Sequence, residues 1–214
     1  MIKISNLSKT FKNQMVLENV NLEIEEGTIT GFVGRNGSGK TVLFKMIAGL
    51  TRPSSGEITV NGIRVGKDRD FPDKMGIIIE TPNFISFKSG YENLESLAVI
   101  RRQIGEEEIR KAMELVGLAN EGKKKVGKYS LGMRQRLGIA QAIMENPELL
   151  ILDEPMNGLD EEGVEEIRSL LQDLKKEGKT ILLASHNKED IQKLCDRVYH
   201  LSGGKLEESR AENE

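Results

Sequence analysis

The stretch Thr28-Ile29-Thr30-Gly31-Phe32-Val33-Gly34-Arg35-Asn36-Gly37-Ser38-Gly39-Lys40-Thr41 reads as a buried β-strand running into a glycine-rich turn. A helix over residues 40–48 follows, stopped by Gly49 with Pro53 close behind. Residues 34–41 fit G-x-x-x-x-G-K-[ST], a loop whose backbone N–H groups curl around phosphate oxygens. Glycines suit the turn because no Cβ obstructs it, and the helix aims its positive end at the same anion. Gly34, Asn36, Gly37, Ser38, Gly39, Lys40 and Thr41 are therefore the candidate phosphate-binding residues. In such a loop the lysine reaches the β- and γ-phosphates and the hydroxyl of Thr41 ligates Mg²⁺. A glycine turn can match by chance, but a strand before it and a helix after it point to nucleotide binding.

Working outward, residues 76–79, 149–152, 181–184 and 198–201 are short apolar runs, as expected of strands covered on both faces. They alternate with helix-period segments, which predicts an α/β fold with a mainly parallel sheet. Residues 57–60 and the turn Asn61-Gly62 predict a small antiparallel sheet in the N-terminal third. From Tyr91 to Met144 the pattern is helical. One domain over 1–214 follows, with a core of 1–86 and 146–214 and an inserted helical subdomain of about 87–145. Val164, Ile167, Leu170, Leu171 and Leu174 mark another helix, whose charges read as a solvated face. The basic run Lys123-Lys124-Lys125 reads the same way, and residues 207–214 as a polar tail with little to fold.

Composition bounds the class. The 214 residues carry 31 basic and 34 acidic side chains, a formal charge of −3, with no nucleic-acid footprint. A single cysteine, Cys195, excludes a disulfide framework and a four-thiolate metal site, and reads as a small buried hydrophobe. No apolar run approaches the ~20 residues that span a bilayer. Residues 1–5 lack a charged-then-apolar leader layout, which predicts a soluble, reduced, intracellular chain.

Leu149-Leu150-Ile151-Leu152-Asp153-Glu154 puts two acids at the end of a buried strand. Ligands of open α/β sheets bind at the carboxyl ends of strands, so these acids should face the phosphate loop. Asp153 is the candidate Mg²⁺ ligand and Glu154 the residue that orients and deprotonates an attacking water. Phosphoryl transfer needs mainly positioning and charge neutralisation, which this pair and the loop supply. Ser185-His186 ends the next strand, where an imidazole can donate a hydrogen bond to a γ-phosphate. His200 reads as a surface strand residue.

The ordered set of phosphate loop, Tyr129-Ser130-Leu131-Gly132-Met133-Arg134-Gln135-Arg136, the 149–154 strand, Asn157-Gly158-Leu159-Asp160 and His186 resembles the nucleotide-binding subunit of an ABC (ATP-binding cassette) transporter. The resemblance covers essentially the whole chain. It implies a P-loop NTPase (RecA-like) core, ATP and Mg²⁺ as ligands, and catalytic roles for Glu154, His186 and Lys40. It further implies that Ser130 and Gly132 contact the γ-phosphate held by a second, identical subunit in an ATP sandwich. Asp160 then lies in the loop crossing that interface, and Phe11, after the first strand, stacks on adenine.

Two departures are visible: the signature reads Tyr-Ser-Leu-Gly-Met, and Glu80 stands where the family usually has a metal-contacting Gln. Together they resemble exporters conferring resistance to antibiotic peptides of lantibiotic and bacitracin type. The implied partner is an integral membrane permease docked on residues 83–97, with the chain peripheral on the cytoplasmic face. The alternative is a soluble ABC ATPase of Fe–S assembly type. A binding-only relative is disfavoured by intact Lys40, Asp153, Glu154 and His186.

Overall fold

The structure is a computed structural model that describes residues 1–209. It opens on two long strands, β1 (Ile2–Phe11) and β2 (Gln14–Ile24). In β2, Val20, Leu22 and Ile24 are buried while Asn21 and Glu23 are exposed, the alternation of a sheet wet on one face. β3 (Ile29–Val33) follows, then α1 (Lys40–Ile47), β4 (Ser55–Val60), β5 (Ile63–Arg64) and β6 (Met75–Ile78). The helical stretch holds α2 (Gly90–Arg101), α3 (Glu106–Leu115), a 3₁₀ turn (Val126–Lys128) and α4 (Leu131–Ile143). The chain closes with β7 (Leu149–Asp153), α5 (Glu161–Lys176), β8 (Thr180–Ala184), α6 (Lys188–Leu194), β9 (Arg197–Ser202) and β10 (Lys205–Ser209).

Two sheets result. The antiparallel one has the order β2-β1-β4-β5 and the larger one β10-β9-β3-β8-β7-β6. Within the latter every pairing is parallel except β10 on β9. Its inner strands β3, β7 and β8 are buried almost throughout, which is why β7 and β8 read as unbroken apolar runs. Leu150, Leu152, Ile181 and Leu183 face the helical stretch and α5 in one core cluster. Leu149, Ile151, Leu182 and Ala184 face α1 and the antiparallel sheet in the other, where Phe32 meets Phe44 edge-on at 5.3 Å. Backbones come very close at one point. A Cβ on Gly76 of β6 would lie 1.9 Å from the Ala142 carbonyl of α4, so only glycine lets that helix pack there.

Because β3, β7 and β8 are parallel and adjacent, the residues after them emerge at one edge. That edge receives the phosphate loop, Asp153-Glu154 and Ser185-His186.

Three sequence expectations need correction. Residues 207–209 are not tail: they belong to β10, where Glu207 pairs with His200, and residues 210–214 lie outside the described part. Polar side chains on an edge strand give no apolar alternation to read. Phe11 is the last residue of β1 rather than a position after it. And α5 does not keep all its charges in water: Arg168 is buried at 4% exposure. His200 is exposed on β9, and Cys195 is half-buried under Gly31.

Candidate nucleotide-binding site

The loop between β3 and α1 turns through Gly37 and Gly39, at φ +77° and +109°, a region closed to most side chains. Gly39 is the N-cap of α1 and provides no capping side chain, so the first N–H groups of that helix stay open to an anion. Lys40 is buried, and its Nζ donates to the Gly34 carbonyl at 2.6 Å and to that of Arg35 at 3.4 Å. Among the described residues Ser38 Oγ is the one buried side-chain polar atom without a partner, and it lies inside this loop.

Opposite the loop, the Thr41 hydroxyl donates to Asp153 Oδ2 at 2.6 Å. Glu154 sits at φ 53°, a strained position for a side-chain-bearing residue. Its N–H donates to the Ala184 carbonyl at 2.9 Å, which ties the turn after β7 to β8. Its Oε2 lies 2.7 Å from His186 Nδ1 and accepts the His186 backbone N–H at 3.3 Å. The imidazole sequence reading aimed at a γ-phosphate is thus held on the neighbouring carboxylate. A cleft of about 360 Å³ is lined by Asn36, Gly37, Lys40, Thr41, Glu80, Gln135, Asp153, Glu154 and Asn157.

Glu80 also has a positive φ, 64°, and its carboxylate pairs with Lys45 Nζ of α1 at 2.6 Å. The donors facing the loop, a hydroxyl and carboxylates, are hard oxygens of the kind Mg²⁺ takes. No cluster of three or more His, Cys, Asp or Glu side chains suited to a metal occurs among the described residues. An ion here would therefore draw on few protein ligands and on phosphate oxygens, as Mg²⁺ at nucleotide sites does.

A family model described as ABC transporter matches residues 17–157. The chain belongs to the ABC transporter family. It is an ATP-binding cassette of the ATPase class. It is 44% identical to the uncharacterized ABC transporter ATP-binding protein YybJ of Bacillus subtilis, over 98% of this chain and 96% of that one. The bacitracin transport ATP-binding protein BcrA of Enterococcus faecalis is 44% identical over 97% of this chain and 68% of its own length. The lantibiotic transport ATP-binding protein SrtF of Streptococcus pyogenes is 39% identical over 96% and 89%. Among solved structures, a dimeric post-hydrolysis state of the cassette MJ0796 bound to ADP and Pi superposes with a TM-score of 0.87. It is 28% identical and covers 99% of this chain and 100% of that one.

The cassette does not bring every candidate into the cleft. Ser130 caps α4, accepting from the Met133 N–H at 3.1 Å, and neither it nor Gly132 lines the cleft. Leu131 and Gly132 pack instead against Gly158, two residues before Asp160, which caps α5 through the Gly163 N–H. Phe11 is 47% exposed, with Lys9 Nζ 4.7 Å from its ring centroid. Its hairpin runs beside the loop, since Val16 of β2 abuts Gly39.

Two residues escaped the sequence reading. Gln135 donates from Nε2 to the Glu154 carbonyl at 3.3 Å, and Lys45 holds Glu80. Both were visible only as polar positions on helices, since nothing in the sequence says which distant group each meets.

Proposed function

We propose that this cassette is the peripheral motor subunit of an exporter of antimicrobial peptides or drugs, driving a separate membrane permease by ATP hydrolysis. One observation carries the reading: Lys40, Thr41, Asp153, Glu154 and His186, from three separate segments, converge on one edge of the sheet. Lys40 and the loop N–H groups of Gly34, Asn36, Gly37, Ser38 and Gly39 bind the β- and γ-phosphates. Glu154 takes a proton from the attacking water, and His186, hydrogen-bonded to it, faces the γ-phosphate. Thr41 and Asp153, with Glu80 as a further ligand, would hold Mg²⁺, which would neutralise charge on the phosphate oxygens.

Ser130 and Gly132 lie outside their own cleft, which suits a role toward ATP held by a second copy. The dimeric structures of a related cassette support that arrangement. In this reading Phe11, exposed on the hairpin beside the loop, stacks on adenine. Residues 87–145 act as a helical subdomain on a core of 1–86 and 146–214. Between them runs a groove of about 240 Å³, lined by Leu50, Ile77, Ile79, Pro82 and Gly138 among others, which suits a permease element. Among the described residues no helix is long and apolar enough to cross a membrane, and in this reading a partner permease supplies the transport path. The bacitracin and lantibiotic transport relatives support the cargo class and a position at the cytoplasmic membrane face.

Affinity capture of the tagged chain from detergent-solubilised source cells tests the assignment. A multi-span membrane protein recovered in stoichiometric amount, with cassette ATPase activity that responds to it, is the expected result. Soluble partners alone, under conditions that preserve other membrane complexes, would overturn the transport role.

A further inference from the structure

Arg168 is the one buried charge on α5. Its side chain is 4% exposed, against 58% for Glu165 three residues back. Nε and Nη2 donate to Asp190 Oδ1 at 2.9 and 2.5 Å, and Asp190 on α6 is equally buried. The guanidinium also donates to Glu165 at 2.5 Å and to Glu189 at 3.2 Å. Burial alone pulls its pKa down; the hydrogen bonds it donates to Asp190, Glu189 and Glu165 more than reverse this, so it stays charged.

The contacts continue beyond the ion pair. Asp190 Oδ2 accepts from the buried Ser185 hydroxyl at 2.7 Å. Ser185 Oγ accepts in turn from the Asn187 N–H at 3.1 Å. The chain Arg168–Asp190–Ser185 therefore grips the backbone on both sides of His186, yet none of its members lines the nucleotide cleft.

A buried ion pair adds little net stability compared with an apolar pair of the same size, because desolvation offsets the attraction. What directional hydrogen bonds supply is a fixed conformation. His186 needs that: its side chain is 68% exposed and has Glu154 as its partner, so no packing of its own sets where it points. We propose that Arg168, Asp190 and Ser185 are a positioning unit that fixes the 185–187 backbone so that His186 meets Glu154. The inference rests on the reading of Glu154 and His186 as the hydrolytic pair.

The test measures ATP turnover of the full chain, per folded protein, for Ser185→Ala and Asp190→Asn in the native and His186→Ala backgrounds. Each is expected to lower kcat about tenfold or more with KM for ATP within about twofold, since misplacing a reacting group by an ångström costs that much or more. In the His186→Ala background each should have no further effect. Unchanged kcat, or the same loss in both backgrounds, overturns the positioning role and leaves a structural one. If His186→Ala itself leaves turnover intact, the reading of the site falls and the inference with it, a separate and recognisable result.

A second readout does not depend on activity. The chain has two histidines, so the His186 imidazole resonance is identified by its loss in His186→Ala. Ser185→Ala, which keeps the Arg168–Asp190 pair, should shift that resonance and leave the His200 signal in place, and Ser185→Thr should restore it. An unmoved His186 signal in a folded Ser185→Ala overturns the proposal, even if Asp190→Asn fails to fold.

Discussion

Single residues at the strand ends hold the chemistry under strain. Glu154 and Glu80 both take left-handed backbone, at φ 53° and 64°, which costs of order 1–3 kcal/mol each and persists only where surroundings impose it. Lys40 offers the loop its one ammonium, and a charge-assisted contact is worth about 1.5–3 kcal/mol. Lys40→Ala is therefore expected to weaken ATP binding by about tenfold or more in equilibrium titration; unchanged affinity would refute the loop assignment. Glu80→Gln removes a charge next to the cleft and breaks the pair with Lys45. If Glu80 helps hold the metal, the Mg²⁺ concentration giving half-maximal turnover should rise in this variant, and an unaltered Mg²⁺ dependence shows that it does not. Cys195 is inert by environment: burial first, then Asp196 and Asp190, push its thiol up from the ordinary 9.0 to about 12. A group raised in the fold contributes stability that is present below pH 9 and lost as pH rises through about 12. At pH 8 a thiol reagent should modify the native chain far more slowly than the denatured one.

At the scale of elements, caps and close approaches set where helices begin and how they pack. Ser89 opens α2 with a reciprocal cap, accepting from the Glu92 N–H at 3.2 Å while its own N–H donates to Glu92 Oε2 at 2.6 Å. Ser89→Ala should cost about 1 kcal/mol and lower Tm by about 2–4 °C, with ATP binding unaffected in the same preparation. Much of this level was legible in the sequence. The strand, glycine turn and helix at residues 28–48 announced themselves through composition, and the apolar period of α5 through spacing. What periodicity conveys is which face of a helix is buried, not which charge is paired there, so Arg168 was read as solvated. β10 went unread for a related reason: its residues are polar because they lie at the sheet edge, and pairing with β9 is a property of the fold. The left-handed turn at Glu154 and the Lys45–Glu80 pair depend on contacts between distant segments, and no local signal encodes them.

The whole molecule is arranged so that one sheet edge collects the nucleotide groups while Ser130 and Gly132, at the start of the signature helix, stay out of that cleft. Parallel order β3-β8-β7 brings the loop, the acids and His186 together, while Ser130 and Asp160, the caps of α4 and α5, do not line that cleft. In the proposed ATP sandwich half of each site lies on another copy, which couples ATP affinity to association. On that proposal the cassette works as a motor because ATP favours the closed pair and its hydrolysis does not. Removing the base while keeping the shape of the site isolates that coupling. The most direct measurement is the molar mass of Glu154→Gln by light scattering, with and without saturating ATP and Mg²⁺, alongside its turnover. The account predicts a dimer only with ATP and a turnover lowered about a hundredfold or more. A monomer at saturating ATP, or a variant that hydrolyses at the native rate, would contradict it.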